Sequence, residues 1–267
     1  MTDAVVTIRG ATKVFGAGAD QTRALDGIDL EIEKGAFVSL IGPSGCGKST
    51  LLRLIGDLTH PSAGVVQVNG KSAHQARLDR DYGIVFQSPV LFDWRTVAEN
   101  VELPLEVSAT DKRTRAERAL AMLALVELSG FERRYPWQLS GGMQQRVAIA
   151  RALSFEPAIL LMDEPFGALD EMTRERLNLE LLGIWRKTGT TIVFVTHSIP
   201  EAVFLSTRVV VMSARPGRIV DVIDVDLPQP RNDLTREDAR YFSFVTRVRE
   251  SLRGRAERAS SLRASAT

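Results

Sequence analysis

Glycines at 42, 45 and 47, a lysine and two adjacent hydroxyls are packed into Gly42-Pro43-Ser44-Gly45-Cys46-Gly47-Lys48-Ser49-Thr50, a G-x-x-x-x-G-K-S string. Glycines let a backbone wrap closely round an anion with its N–H groups pointing inward, a lysine adds positive charge, and a hydroxyl can ligate a divalent cation. That combination binds nucleotide phosphates, with Lys48 reaching the β- and γ-phosphates, Ser49 able to ligate Mg²⁺, and Cys46 contributing only its backbone. Further on, the apolar run Ala158-Ile159-Leu160-Leu161-Met162 ends in Asp163-Glu164-Pro165. Two carboxylates at the end of a buried strand suit metal-assisted phosphoryl chemistry, with Asp163 holding Mg²⁺ through water and Glu164 polarising the attacking water. Two acids capping the next helix would leave the same pattern. Between these elements, Leu139-Ser140-Gly141-Gly142 opens a helical stretch and offers bare backbone N–H groups plus one hydroxyl. This is either a second anion site or a plain helix entry capped by Ser140.

The surrounding pattern must position these groups. Val5 to Ile8 and Ile28 to Ile32 read as strands of an antiparallel portion, with a turn or loop over residues 16–20 between them. Ala36 to Ile41, the glycine loop and Lys48 to Leu58 form a strand, loop and helix unit. Val65 to Val68 leads into an Asn69-Gly70 turn, and Tyr82 to Phe86 is another strand. Strand signals then stop from Thr96 to Leu139, where Ala116 to Leu128 has helical periodicity and marks a candidate helical subdomain. A helix over Met143 to Leu153 follows. Strands resume at Ala158 to Met162, Thr191 to Val195 and Val209 to Met212, separated by helices at Glu171 to Lys187 and Pro200 to Leu205. Such alternation predicts a largely parallel sheet with crossover helices.

Composition bounds the function. The chain has 267 residues, 44% of them hydrophobic, enough to bury a sizeable core. No run approaches the roughly 18 apolar residues of a membrane span, and Met1 to Arg9 lacks a basic region followed by an apolar core, so the expectation is a chain that stays in the cytoplasm. The single cysteine, Cys46, excludes a disulfide framework and a cysteine-based zinc cluster. A net charge of +1 argues against bulk attraction to nucleic acid. The end of the chain is locally basic, with Arg253, Arg255, Arg258 and Arg263 against Glu257, in a Ser/Ala/Arg composition that favours a flexible tail over a binding patch.

Together, the glycine loop, Leu139-Ser140-Gly141-Gly142 and the Asp163-Glu164 pair make the chain resemble the ATPase subunit of an ATP-binding cassette (ABC) transporter over about residues 5 to 225. The resemblance carries further roles onto matching positions. Gln87 corresponds to the glutamine loop, touching Mg²⁺ and the lytic water; Gly167-Ala168-Leu169-Asp170 to the D-loop; and His197 to the switch histidine, donating to the γ-phosphate. Phe15 falls where the family places an aromatic against adenine. Gly42 to Thr50 would hold ATP, and Ser49, Gln87 and Asp163 would hold Mg²⁺. Ser140, Gly141 and Gly142 would close over ATP bound to a second copy of the chain. The position after Gly142 is often glutamine in the family and is Met143 here, which leaves the phosphate-facing atoms in place.

The implied fold is α/β, a P-loop NTPase of the cassette type, with a mixed, mainly parallel sheet core, an antiparallel β portion and an inserted α-helical subdomain. The cassette would span 1–230, with the helical subdomain at about 94–152 between core segments 1–93 and 153–230. A terminal helix, Asp238 to Arg253, and the basic tail would occupy 231–267. Longer strings, Leu161 to Asp170, Thr196 to Leu205, Ser213 to Ile219 and Asp93 to Val97, resemble the nitrate, sulfonate, taurine and bicarbonate importers. Importers of pyrimidine-type vitamin precursors share them, and a non-transport soluble cassette ATPase is a further alternative. The residues after Ile219 are too few for the β-rich regulatory domain of many sugar importers.

The resemblance therefore implies ATP hydrolysis by a sandwich dimer on the cytoplasmic face of the inner membrane, coupled to uptake of a small solute. The partners would be a second copy, separate permease subunits docked on the apolar stretch Pro89-Val90-Leu91-Phe92 with Trp94, and indirectly a solute-binding protein. Ordinary core packing would explain that apolar stretch as well.

Overall fold

The computed structural model describes residues 3–264, with the side chains of residue 19 and of residues 254–264 outside that description. Two compact units form, one from Met1–Asp79 with Thr191–Thr267 and the other from Arg80–Thr190.

The first unit begins with β1 (Ala4–Phe15) and β2 (Thr22–Glu33), paired antiparallel out to Phe15 opposite Thr22. Ile28, Leu30 and Ile32 alternate inward, the period of a strand with one covered face. Both strands extend well beyond the apolar stretches Val5 to Ile8 and Ile28 to Ile32, because cross-strand hydrogen bonds continue the ladder through polar residues that carry no hydropathy signal. A single 3-10 turn at Gly18–Asp20 lies in the predicted loop.

Next come β3 (Phe37–Ile41), buried at every position, and α1 (Lys48–Ile55), which stops at Gly56, short of Leu58. β4 (Ala63–Val68) pairs with β1, and Asn69 and Gly70, with φ of 51° and 72°, make the tight turn into β5 (Lys71–Ser72). These four strands lie in the order β2-β1-β4-β5. The short α2 (Ala73–Leu78) starts on Ser72, whose hydroxyl accepts the Gln75 N–H at 3.2 Å.

In the second unit, β6 (Tyr82–Val85) runs parallel to β7 (Ile159–Asp163), with Val85 opposite Met162. Between them lie α3 (Val97–Val107), α4 (Lys112–Leu125) and α5 (Gly141–Leu153). α3 is not anticipated by the periodicity, in which Pro104 reads as a breaker. It is fixed instead by a capping box in which the Thr96 hydroxyl accepts the Glu99 N–H while the Glu99 carboxylate accepts the Thr96 N–H at 2.7 Å. α4 starts at Lys112, four residues before the Ala116 expected from periodicity, and is capped by Asp111, which accepts the Thr114 N–H. α6 (Glu171–Thr188) is capped by Asp170 at one end and by Gly189, φ 64°, at the other.

The chain returns to the first unit with β8 (Thr191–Val195), α7 (Ile199–Leu205), β9 (Arg208–Met212), β10 (Ile219–Asp224) and α8 (Ala239–Ala264). β8 and β9 flank β3 in parallel, and β10 closes antiparallel on β9, giving the run β10-β9-β3-β8. β10 has no sequence-based counterpart, since only one of its residues, Ile223, is fully buried. α8 runs past Arg253, where the helix was expected to end; the side chains of Arg255, Arg258 and Arg263 lie outside the described residues.

Candidate active site

The phosphate loop leaves the carboxyl end of β3, where parallel strands of α/β sheets place ligands. Its glycines are required by the space around them. A Cβ on Gly42 would lie 2.8 Å from Cys46 Sγ and 2.9 Å from the Met212 carbonyl oxygen, and Gly47 is held at φ 104°, with Leu25 Cδ2 2.7 Å from the Cβ position. Gly47 is also the N-cap of α1 and supplies no side-chain acceptor of its own. Lys48, only 6% exposed, folds over the loop, its ammonium donating to the Gly42 carbonyl at 2.8 Å and the Pro43 carbonyl at 3.2 Å. Glycine backbone, a helix N-terminus and a buried ammonium form a cradle that fits a phosphate chain. Cys46 is fully buried, and burial pushes its thiol above the usual range.

The segment after β9 supports this cradle. Gly217 pairs with Leu25, and a Cβ on it would fall 2.1 Å from the Cys46 carbonyl oxygen, so backbone packs directly on backbone. Arg215 donates to the Gly45 carbonyl at 3.3 Å. The string Ser213 to Ile219 thus buttresses the phosphate loop, a role its sequence does not announce.

His197 follows β8, whose Val195 is opposite Leu40 of β3, so it leaves the sheet at the same edge as the phosphate loop. It is exposed. The preceding Thr196 is buried and anchored, its hydroxyl donating to Glu201 Oε2 at 2.5 Å and accepting the Ser198 N–H at 3.0 Å, while its own N–H donates to Leu40. Phe15 ends β1 with 44% of its surface exposed and the Lys13 ammonium 4.9 Å above its ring. That leaves one face of an aromatic ring in a cationic setting.

In the second unit, β6 and β7 deliver Gln87 and the Asp163-Glu164 pair to one edge, both at carboxyl ends. The Gln87 amide nitrogen and Glu164 Oε2 each lie 3.6 Å from the position a Cβ on Gly167 would occupy, so two side chains remote in sequence converge on one point. Glu164 adopts φ 47°, a conformation that L-residues rarely hold. The turn is closed by the Gly167 N–H donating to the Glu164 carbonyl at 3.1 Å. A backbone held in this region costs of order 1–3 kcal/mol and persists where surrounding structure imposes it.

Ser140 is the N-cap of α5, its hydroxyl accepting the Met143 N–H at 3.3 Å. The capping and anion-site alternatives are therefore compatible: the hydroxyl starts the helix while Ser140 and Gly141 are exposed at its N-terminus. Gly142 is buried, and a Cβ there would meet Thr173 Cγ2 at 3.1 Å, which seats this end of α5 against the start of α6. Asp170 caps α6, and the Thr173 N–H it accepts at 2.9 Å holds its carboxyl below the usual range.

A model of the ABC transporter family matches residues 25–167. An uncharacterized ABC transporter ATP-binding protein of Methanocaldococcus jannaschii is 50% identical over 241 residues, covering 90% of each chain. The chain belongs to the ABC transporter ATP-binding family. An aliphatic sulfonates import ATP-binding protein of Bacillus cereus is 46% identical over 227 residues, covering 85% of this chain and 88% of the relative. A dimeric cassette in a post-hydrolysis state bound to ADP and phosphate is 38% identical, with a TM-score of 0.72, covering 84% of this chain and all of that one. The protein is an ABC-type ATPase of α/β fold with mixed sheets.

Within this ABC domain, three site-supporting residues escape sequence reasoning because each acts through backbone carbonyls rather than a motif. Asn100, fully buried on α3, accepts the Phe92 N–H at 2.8 Å and donates to the carbonyls of Phe92, Arg95 and Thr96. Gln145 and Arg151 on α5 bond the carbonyls of Phe86, Pro89 and Val90. All flank Gln87.

Proposed function

We propose that this chain is the ATP-hydrolysing subunit of an importer for a small solute of the nitrate, sulfonate, taurine or bicarbonate kind, working as a two-chain nucleotide sandwich. The observation that carries the catalytic part is the meeting of Glu164 and Gln87 beside Gly167, at the end of the strand that also bears Asp163.

In this proposal Lys48, Ser49 and the backbone of residues 42–50, through its N–H groups other than at Pro43, bind the ATP phosphates, with Phe15 against the adenine. Mg²⁺ would be held by oxygen donors, the Ser49 hydroxyl, Asp163 through water and the Gln87 amide oxygen, a hard set suited to that ion. When bound it neutralises phosphate charge and aligns the transferred group. Glu164 accepts the proton of the attacking water, Gln87 orients that water, and His197 donates a hydrogen bond to the γ-phosphate. Ser140 with the N–H groups of Gly141 and Gly142 covers the γ-phosphate held by the partner chain, and Asp170 lies at the seam between the two.

No helix among the described residues is long and apolar enough to cross a membrane. Attachment to the cytoplasmic face of the membrane would then run through separate permease subunits. The exposed Trp94 (73%), its ring tilted against that of Phe92 with centroids 4.7 Å apart, and the exposed Val90 support docking on the segment after Gln87. Residues 94–152 serve as the helical subdomain between core segments 1–93 and 153–230, and 231–267 as a C-terminal extension. The solute class rests on likeness to the sulfonate import protein. Reconstitution with the co-encoded permease and binding protein tests it: ATP-dependent uptake of an alkyl sulfonate, nitrate or bicarbonate is expected, and uptake of only a pyrimidine precursor would overturn the assignment.

A further inference from the structure

Gln87 sits in an exposed loop, yet backbone on both sides of it is held by side chains of a single helix. Gln145 on α5, 2% exposed, donates from Nε2 to the Phe86 carbonyl at 3.1 Å, one residue before Gln87. Arg151, on the same helix, donates from one guanidinium nitrogen to the Val90 carbonyl at 2.8 Å and from the other to the Pro89 carbonyl at 2.9 Å, two and three residues after it. Val90 is at φ 48°, a left-handed conformation that is an outlier for a β-branched residue and must be imposed from outside. The paired nitrogens of a guanidinium are a planar fork that fixes two acceptors at once, which neither an ammonium nor a neutral side chain reproduces. Arg151 is largely desolvated, and burial lowers its pKa from the ordinary arginine value. A cation directed at carbonyls instead of a carboxylate gains little from charge pairing, so its contribution lies in the shape it imposes on the loop.

We infer that Arg151, assisted by Gln145, is a positioning residue for Gln87: it clamps the Pro89-Val90 turn to α5 and so holds the Gln87 amide beside Glu164. The inference rests on the proposed role of Gln87. Because α5 also begins at Ser140, the clamp ties the loop that addresses the chain's own nucleotide to the helix whose other end is proposed to address the partner's.

A double-mutant cycle on the full chain tests the clamp, with kcat and KM for ATP and the thermal midpoint measured for each variant. Arg151→Met should lower kcat about tenfold in the parent, since a displaced catalytic geometry is costly, while leaving KM within about twofold. In a Gln87→Ala background the same change should lower kcat less than about twofold, because the group it positions is gone. Arg151→Lys, keeping the charge but not the fork, should recover only part of kcat. A merely structural Arg151 would give equal losses in both backgrounds and full rescue by lysine, and either result overturns the inference. If Arg151→Met does not fold, Gln145→Leu run through the same cycle decides the matter by the same criterion. Lys48→Ala and Glu164→Gln, measured alongside, separate the two levels: parent turnover in those variants removes the site assignment itself. Their expected loss, combined with an additive Arg151 cycle, removes the clamp alone.

Discussion

Glu164 combines an unusual backbone, φ 47°, with a carboxylate aimed at the same point as the Gln87 amide. That pairing separates it from Asp163, one residue earlier and in ordinary strand geometry, and supports giving the two acids different work. Glu164→Gln keeps the size and the hydrogen-bonding reach while removing the proposed proton acceptor. Turnover should fall by about 10²–10⁴-fold with ATP affinity retained, as measured by single-turnover hydrolysis and fluorescent-nucleotide binding. Lys48→Ala should instead abolish tight ATP binding, because the ammonium that bridges the Gly42 and Pro43 carbonyls is the cation of the loop. Residue identity carried much of this. The phosphate loop, Asp163, Glu164 and Ser140 are legible because their chemistry needs those side chains at those spacings. Asn100, Gln145 and Arg151 are not, since they bond carbonyls that any sequence supplies.

The elements were legible where burial is two-sided and obscure where it is not. β3, β7 and β8 are mostly apolar, interrupted only by Ser39 inside β3 and by Asp163 and Thr191 at strand ends, and fall within a residue of their predicted bounds. α3 depends on a capping box and contains Pro104, and β10 is mostly half-exposed, so neither leaves a periodic trace. The contact between β6 and α5 is tight: a Cβ on Gly83 would fall 2.3 Å from the Ala152 carbonyl oxygen. Gly83→Ala should therefore force strand and helix apart and destabilise by roughly 1–3 kcal/mol, read as a lowered denaturation midpoint. At the end of α7, buried Arg231 donates to the carbonyls of Val203, Phe204 and Ser206, and burial brings its pKa down to about 10. Arg231→Met strands those acceptors and should cost at least roughly 1–3 kcal/mol by chemical denaturation, with the m-value unchanged.

For the whole molecule, the proposed sandwich gives each chain two halves of two different sites. Ser140 and Gly141 are exposed at the start of a helix, and the relative bound to ADP and phosphate is dimeric. In the proposed cycle, nucleotide would act as the bond between copies, made when ATP binds and released on hydrolysis. The most direct test is the solution mass of the Glu164→Gln protein by light scattering, with and without ATP and Mg²⁺. The expected result is a monomer without nucleotide, a dimer with ATP and Mg²⁺, and loss of that dimer when Ser140→Arg is added. A Glu164→Gln protein that binds ATP stoichiometrically and stays monomeric, or one whose dimer is indifferent to Ser140→Arg, would contradict it.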